Sequence, residues 1–230
     1  MKLLRSFIGC FLISIPCFTA HGQMETAMQT VERNQTSLVA IRTVTTKTID
    51  QGNNHTIVGT YTTQGSGVII DSTGLIVTNT HIVAGAQHIY VALSDGTILE
   101  AKIVYSSDAD FSFIKIDPPY SLNTITWADS ALAQIGTPII AISNNGGDEQ
   151  HVLGGAVTDL MDGATSNNVE MFELNLTLYH GDSGGPLLDN DGHLLGLIMG
   201  KKNSEDAKTY AIASNKIAQE YEQYRNNPQN

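Results

Sequence analysis

The chain has very little cysteine and little proline. Among its 230 residues there are 6 prolines and 2 cysteines, and the cysteines, Cys10 and Cys17, both lie near the amino terminus. If the leader predicted below is removed, the mature protein has no cysteine, which excludes a disulfide framework. Hydrophobic residues at 41% and charged residues at 15% indicate a globular protein whose core has to stabilise it unaided. No internal repeat or low-complexity tract is present.

Positive charge is also scarce. Lys and Arg total 12 against 23 Asp and Glu, so the formal net charge is −11. Loss of a leader containing Lys2 and Arg5 would change it to −13. Because an acidic surface repels nucleic-acid phosphates and anionic lipids, we expect neither nucleic acid as a partner nor membrane insertion after the leader is removed.

Residues 1–22 have the pattern of a secretory signal peptide. Two basic residues precede a mostly apolar run over 6–18, and small residues precede a cleavage point after Gly22. The run is too short to span a membrane and is interrupted by Pro16. A lipid anchor at Cys17 is disfavoured because the three residues before it form a poor lipoprotein signal. We therefore predict export, to the periplasm or to the medium.

Most of the rest of the chain has the sequence pattern of a β-rich protein. Residues 23–36 are polar and helix-compatible, and they fit a short helix, an oligomer contact or a frayed leader equally well. From Ser37 onward, short β-branched runs alternate with Gly, Asn and Asp turn signals, which favours an all-β sandwich or barrel. The predicted strands of the first half cover residues 38–48, 56–63, 67–71, 75–78, 88–93, 97–105 and 111–116. Those of the second half cover residues 137–142, 152–158, 171–176, 185–188, 194–199 and 209–213.

These runs divide the mature chain into parts. A first β unit is predicted over 37–117, and a linker over 118–130 that opens with two prolines. A second β unit follows over 131–213. The last part, 214–230, is predicted as a helix and tail with Ser214 as its N-cap and one apolar stripe. That stripe consists of Ile217, Ala218, Tyr221 and Tyr224.

Residues 181–187, GDSGGPL, are the strongest candidate for chemistry. Ser183 lies between glycines, so no neighbouring side chain blocks a substrate from reaching it. Gly181 takes positive φ at little cost, so the amides of Gly181 and Ser183 can point into one pocket and bind a developing oxyanion. Alone, the motif fits a glycine-rich hairpin turn equally well. A catalytic interpretation needs a histidine and a carboxylate as well.

Both partners are found upstream. His81 follows an apolar strand and is predicted to project from the strand end. Asp110 comes directly before another apolar strand, where its carboxylate can accept from an imidazole N–H, whereas the nearby Asp108 fits an ordinary turn residue. No histidine has metal-ligand spacing with cysteine or carboxylate companions, so we predict no metal site. The remaining histidines of the mature chain are His55, His88, His151, His180 and His193.

Five segments, in order and spacing, resemble the trypsin-like serine proteases and most closely the bacterial HtrA/DegP branch. They are GSGVII at 65–70, TNTHIV at 78–83, LSDG at 93–96, DFSFIKI at 110–116 and GDSGGPL at 181–187. The resemblance extends over about residues 37–225. It implies an all-β fold of two six-stranded antiparallel barrels with a short C-terminal helix, and an active site between them.

The resemblance also implies roles for the three residues, without metal or cofactor. Ser183 would attack the peptide carbonyl while His81 takes its proton, and Asp110 would orient His81. Gly181 and Ser183 would form the oxyanion hole. Two features depart from the branch: we expect no PDZ domain after the protease unit, and Asp182 stands where an asparagine is usual. In trypsins this aspartate pairs with a newly cleaved amino terminus; here we expect another donor, or a solvated loop acid.

The segment before the nucleophile bears on specificity. Thr177 stands where a preference for basic side chains would require aspartate. Leu178 and the segment Leu197, Ile198 and Met199 are expected to line an apolar pocket, which favours small or aliphatic residues before the scissile bond. A competing hypothesis is glutamate specificity through His180 or Thr177.

We therefore predict an exported serine endopeptidase that acts on proteins or peptides. The alternatives are a non-catalytic peptide-binding or chaperone module on the same fold, and a structural or adhesive β protein. A homo-oligomer is left open by the sequence.

Overall fold

The computed structural model describes residues 28–50, 56–145, 149–162, 169–201 and 208–227. The predicted signal peptide, residues 1–22, lies outside these ranges. The described chain is mostly strand and forms two closed, six-stranded antiparallel barrels followed by a helix, so the predicted all-β fold class is confirmed. No helix in these ranges combines the length and apolar character needed to cross a membrane.

The first barrel has the strand order β1-β2-β3-β6-β5-β4. Its core is built largely from β-branched side chains, which suit a pleated and buried surface. A short helix, α2 (Thr80–Val83), follows β3. The strands are β1 (Leu38–Asp50), β2 (Thr56–Asp71), β3 (Leu75–Asn79), β4 (His88–Ala92), β5 (Ile98–Ser106) and β6 (Phe111–Lys115).

The prediction of two separate strands at 56–63 and 67–71 was wrong. One strand, β2, runs through both, and its register with β1 continues across Gly65, Ser66 and Gly67. These glycines do not mark a turn. A Cβ on Gly67 would lie 2.9 Å from Ile41 and Ile76 side-chain atoms, so glycine here leaves room for core residues of neighbouring strands.

The second barrel has the order β10-β11-β12-β9-β8-β7. It is joined to the first by residues 116–137, which include a short 3-10 helix, Ser130–Leu132. Its strands are β7 (Pro138–Asn145), β8 (Glu149–Asp162), β9 (Val169–Leu174), β10 (Pro186–Leu188), β11 (Leu194–Lys201) and β12 (Thr209–Ala213).

Two helices pack on these barrels. The first, α1, covers residues 28–34, so the structure supports the helix among the three interpretations of 23–36. Its Val31 packs on the central core, and Asn34 Nδ2 donates to the carbonyl of Gly192 at 3.1 Å. A 3-10 turn, Gln35–Ser37, connects it to β1.

The C-terminal helix, α3 (Ser214–Asn226), buries Ile217 and Tyr221 and leaves Tyr224 partly buried, as the apolar stripe predicted. The N-cap prediction for Ser214 was wrong. Ala213 occupies that position, and the Ser214 hydroxyl instead donates to the carbonyl of Ala128 at 2.9 Å. The hydroxyl thus ties the helix start to the inter-barrel connection.

One hydrophobic cluster is shared by both barrels and α3. Phe111 and Phe113 of the first barrel, Leu197 and Ile212 of the second, and Tyr221 of α3 belong to it. Because a common core is close-packed, it fixes the two barrels relative to each other. Side chains contributed to one cleft by different barrels therefore have a defined relative placement.

Candidate active site

His81 is placed by the strand before it. All five residues of β3 are buried, and Ile82 and Val83 of α2 are buried as well, so apolar burial anchors the chain on both sides of the histidine. His81 itself points outward, and its side chain is 46% exposed. The prediction that it projects from a strand end is in agreement with this placement.

Asp110 is the acid that contacts this histidine. Its Oδ2 lies 2.7 Å from His81 Nδ1, and its Oδ1 accepts from the His81 backbone amide at 3.0 Å. Both carboxylate oxygens of Asp110 therefore contact the same residue, His81. Asp108, the alternative in the sequence, is exposed. A carboxylate at Nδ1 holds the proton on that nitrogen and leaves Nε2 available as a base.

The backbone at Asp110 has an unusual conformation. Its φ is +61°, the one positive φ among the non-glycine residues that the structure describes. Aspartate tolerates this left-handed region better than most residues do. Its carbonyl accepts from the Thr80 amide and from Asn79 Nδ2, both at 3.1 Å. These bonds join the Asp110 turn to the start of α2 and fix the carboxylate opposite His81.

The loop that carries Ser183 is attached to the first barrel through Ser66 of β2. The Ser66 amide donates to the Ser183 carbonyl at 2.8 Å, and its hydroxyl donates to the Gly181 carbonyl at 3.0 Å. The hydroxyl also accepts from the Asn144 amide at 2.8 Å. Gly184 has φ +82°, and a Cβ there would lie 2.1 Å from the Ser66 carbonyl oxygen, so this close approach requires glycine.

The backbone amides of Gly181 and Ser183 are the two that the sequence predicts to bind the oxyanion. Gly181 has φ +98°, as the sequence predicted. In the described ranges neither the Gly181 nor the Ser183 amide donates a hydrogen bond, although the loop is otherwise well bonded. Unpaired backbone amides beside a serine are available to bind an oxyanion, which is the role that the sequence predicts for these two.

Ser183 Oγ is directed toward Gly200 on β11. A Cβ on Gly200 would lie 2.6 Å from this oxygen in its present rotamer, and the φ of +93° at this position favours glycine as well. Between Ser183 and His81 the described part of the chain has no hydrogen bond. Catalytic hydrogen bonds are often long in substrate-free enzymes and shorten in the complex.

Asp182 is not a solvated loop acid. It is 1% exposed, and its Oδ1 accepts from Ser143 Oγ at 2.5 Å and lies 3.0 Å from His151 Nδ1. Its Oδ2 accepts from the Tyr179 amide at 2.7 Å. The sequence left the donor of Asp182 open, and the structure identifies it as a pair of side chains from β7 and β8.

A cleft of about 880 Å³ brings the predicted residues together. His81, Asp110, Gly181 and Ser183 all contribute to its wall. Two residues predicted for substrate binding, Leu178 and Met199, line it as well. The lining that sequence reasoning missed is Thr63, Gln64, Ile82, Met161, Met171, Tyr179, Gly200 and Tyr210.

The other predicted substrate-binding residues lie elsewhere. Thr177 is exposed and does not line the cleft, while Leu197 and Ile198 are fully buried in the cores beneath it. Of the two residues offered for glutamate specificity, His180 lines the cleft. Met161 and Met171 face each other across β8 and β9, a pairing that one strand sequence by itself does not indicate.

A charged cluster adjoins the cleft on the side of Asp110. The hydroxyl of Tyr105 donates to Glu220 of α3 at 2.8 Å. Burial, together with this neighbouring carboxylate, raises the pKa of Tyr105 to about 12. Lys216 lies 3.4 Å from both Glu220 and Glu170, so one cation is shared by two carboxylates.

One group of potential metal ligands is also found in the described ranges. Asp189, Asp191 and His193 bring ligand atoms within 4.8 Å of one another at the β10–β11 turn, a spacing that the sequence analysis did not recognise. Asp189 Oδ1 already accepts from the backbone amides of the other two, at 2.9 and 2.8 Å. These two hydrogen bonds already explain why the three residues lie close together in the turn.

The fold of two closed six-stranded barrels is that of a trypsin-like peptidase domain. The family of that description, "Trypsin-like peptidase domain", matches residues 65–197, more than half of the chain. The chain therefore belongs to the trypsin-like peptidase family.

Individual relatives point to the HtrA/DegP type. The chain is 36% identical over 162 residues to the periplasmic serine endoprotease DegP of Salmonella typhimurium, covering 66% of this chain and 34% of the relative. It is 33% identical to a probable periplasmic serine protease of Haemophilus influenzae, described as do/HhoA-like, over 67% and 35% of the two chains. The chain thus spans about a third of the length of these relatives.

A solved structure is similar as well. The HtrA-type protease AlgW with a bound decapeptide superposes with a TM-score of 0.76 at 25% identity, covering 86% of this chain and 66% of that one. The resemblance to the HtrA/DegP type is thereby confirmed.

Proposed function

We propose that this chain is an exported serine endopeptidase whose catalytic residues are Ser183, His81 and Asp110. The observation that carries the proposal is their meeting in one cleft, with the imidazole and carboxylate bonded at 2.7 Å beside a serine on a glycine loop. Family membership and the periplasmic serine endoproteases among the relatives support the same activity.

In this mechanism Ser183 Oγ attacks the scissile carbonyl carbon and His81 Nε2 takes the hydroxyl proton. The tetrahedral oxyanion is bound by the amides of Gly181 and Ser183, each contributing about 3 kcal/mol to transition-state stabilisation. His81 then gives its proton to the leaving amine, which leaves an acyl group on Ser183. Water, deprotonated by His81, releases the acid and restores the serine. Asp110 holds the Nδ1 proton and stabilises the imidazolium throughout.

The substrate is a peptide or protein with a small or aliphatic residue before the scissile bond. Leu178 and Met199, together with Met161 and Met171, give the cleft beside Ser183 an apolar wall. Methionine side chains are flexible and adapt to differently shaped apolar groups. The decapeptide in the AlgW structure supports peptides as the ligand class.

Export is proposed from residues 1–22 and from the periplasmic relatives. Its test is amino-terminal sequencing of the protein recovered from an exporting bacterial host, with a new terminus at Gln23 expected. An unprocessed terminus in the soluble fraction would contradict it.

The activity is tested with the recovered protein, a peptide library and a fluorophosphonate probe, beside Ser183→Ala and His81→Ala. We expect cleavage after apolar residues and probe labelling by the native protein, both lost in the two variants. Labelling or cleavage that persists in Ser183→Ala would overturn the assignment of the nucleophile. A folded native protein that neither cleaves nor labels would favour the non-catalytic peptide-binding module.

A further inference from the structure

The carboxylate of Asp182 is the one buried charged group in the part of the chain that the structure describes. It is 1% exposed and directly precedes the proposed nucleophile. Burying a charge is unfavourable unless it is paired and hydrogen-bonded. The groups that pair with Asp182 are therefore required for the loop conformation in which this carboxylate is buried.

Those groups come from two neighbouring strands. Ser143 of β7 and His151 of β8 are direct partners in the strand register, so their side chains lie side by side on one face of the sheet. Both reach the same oxygen, Oδ1, at 2.5 Å from Ser143 Oγ and 3.0 Å from His151 Nδ1. Ser143 is buried, whereas the His151 side chain is 27% exposed.

The second oxygen is bonded within the loop. Asp182 Oδ2 accepts from the amide of Tyr179 at 2.7 Å, and the Asp182 amide donates back to the Tyr179 carbonyl at 3.2 Å. The ring of Tyr179 also meets the His151 ring edge-on, with centroids 6.1 Å apart. The turn from Tyr179 to Asp182 is thus closed on itself and attached to β8.

This attachment sets the direction of the two amides in the proposed oxyanion hole. The Ser183 amide belongs to the peptide unit that directly follows Asp182, and the Gly181 amide lies inside the Tyr179–Asp182 turn that this residue closes, so a carboxylate fixed at both oxygens limits rotation of both units. Neither amide is bonded to the rest of the described chain. Their orientation therefore depends on the rest of the loop, which the Asp182 carboxylate holds together with the bonds that Ser66 donates to the Gly181 and Ser183 carbonyls.

We propose that His151 and Ser143 are positioning residues that hold the Asp182 carboxylate and thereby keep the Gly181 and Ser183 amides directed into the cleft. The proposal rests on the proposed protease function for its catalytic consequence. Removal of His151 leaves a buried carboxylate with two neutral donors, and solvation of that charge draws the loop outward. The loss appears in kcat rather than KM because the oxyanion exists only in the transition state.

The test uses the native protein and four variants, with kcat and KM on an apolar peptide substrate. His151→Ala is expected to lower kcat by roughly 10- to 100-fold with KM within about threefold. His151→Asn places an amide donor near the Nδ1 position and is expected to recover most of that loss. The double variant His151→Ala, Asp182→Asn removes the unpaired charge, so its kcat is expected to be higher than that of His151→Ala alone. His88→Ala, which removes a histidine paired with Glu100 on the surface, is the matched control.

Hydrogen exchange gives a readout that does not depend on activity. The Tyr179 amide donates to Asp182, so we expect exchange in a peptide covering 177–183 to become at least about tenfold faster in His151→Ala and unchanged in His88→Ala. Faster exchange with a fall in kcat supports the proposal. Unchanged exchange, or a kcat equal to that of His88→Ala, overturns it. If the native protein does not cleave at all, the protease function fails and the exchange result alone decides the positioning role.

Discussion

Two histidine–aspartate pairs, one on each side of the cleft, have nearly the same contact and opposite surroundings. In the first barrel His81 Nδ1 lies 2.7 Å from Asp110, and the side chains are 46% and 32% exposed. In the second barrel His151 Nδ1 lies 3.0 Å from Asp182, and the values are 27% and 1%. The contact atoms are the same; the burial of the carboxylate differs.

Because the two carboxylates differ in burial, we expect the two pairs to have different roles. A partly solvated carboxylate can accept the changes in charge on its histidine during a reaction, because water and the protein share the cost. A buried carboxylate holds its partners in place, because breaking any of its hydrogen bonds leaves a charge or a donor without compensation. The first pair is therefore expected to control activity with little effect on stability, and the second to control stability and, through the position of the loop, activity as well.

The largest expected effect tests the first half of this comparison. Asp110→Asn keeps the size of the side chain but no longer fixes the proton on His81 Nδ1, so kcat should fall roughly 10³- to 10⁴-fold, about 4–5.5 kcal/mol in activation free energy. Steady-state kinetics on a peptide substrate measure it. The exposed Asp108→Asn is the matched control and should retain native kcat. A loss below about tenfold for Asp110→Asn would contradict the proposed role.

The second prediction concerns the free energy of unfolding rather than kcat. Asp182→Ala leaves the buried Ser143 hydroxyl and the Tyr179 amide without an acceptor, so the free energy of unfolding should fall by about 2–4 kcal/mol. Asp110→Asn, which keeps a residue that tolerates the positive φ at this partly exposed site, should cost about 1 kcal/mol or less. Urea unfolding of both variants gives the two values. Equal losses would show that burial does not distinguish the pairs.

Much of the fold was predictable from the sequence because alternation and turn residues are local signals. The two barrels, the helix α3 and the placement of His81 after a buried strand all follow from such patterns. The continuous β2 was not predictable, since Gly65 and Gly67 carry a turn signal in sequence and serve close packing in the structure. The predicted domain boundaries stay a prediction.

The candidate site was predictable where a residue belongs to a motif. Asp110, Gly181 and Ser183 stand in such segments, whereas the partners of Asp182 do not. Ser143 and His151 are 31 or more positions away from it and meet it through the register of β7 with β8. The contribution of Met161 and Met171 to the cleft depends in the same way on the pairing of β8 with β9. Long-range register is fixed by packing of the whole sheet, so one segment does not encode it.

A third prediction concerns the link between the barrels. The Ser66 hydroxyl donates to the Gly181 carbonyl and accepts from the Asn144 amide, so Ser66→Ala leaves a part-buried amide without an acceptor and a buried carbonyl without a donor. We expect a loss of about 1–2 kcal/mol in unfolding free energy and a fall in kcat of roughly threefold to tenfold. Ser72→Ala, at an exposed position of the turn after β2, is the control. Native stability in Ser66→Ala would show that the loop is held by other contacts.

The smallest expected effect completes the comparison with a third pair. His88 Nδ1 lies 2.8 Å from Glu100, as close as the other two pairs, but the side chains are 54% and 57% exposed. Water solvates both partners whether or not they touch, so His88→Ala should change the free energy of unfolding by about 0.5 kcal/mol or less and leave kcat at its native value. Urea unfolding and steady-state kinetics test the two expectations. A loss comparable to that of Asp182→Ala would mean that contact distance rather than burial governs these pairs, because burial is the property in which this pair differs most from the second.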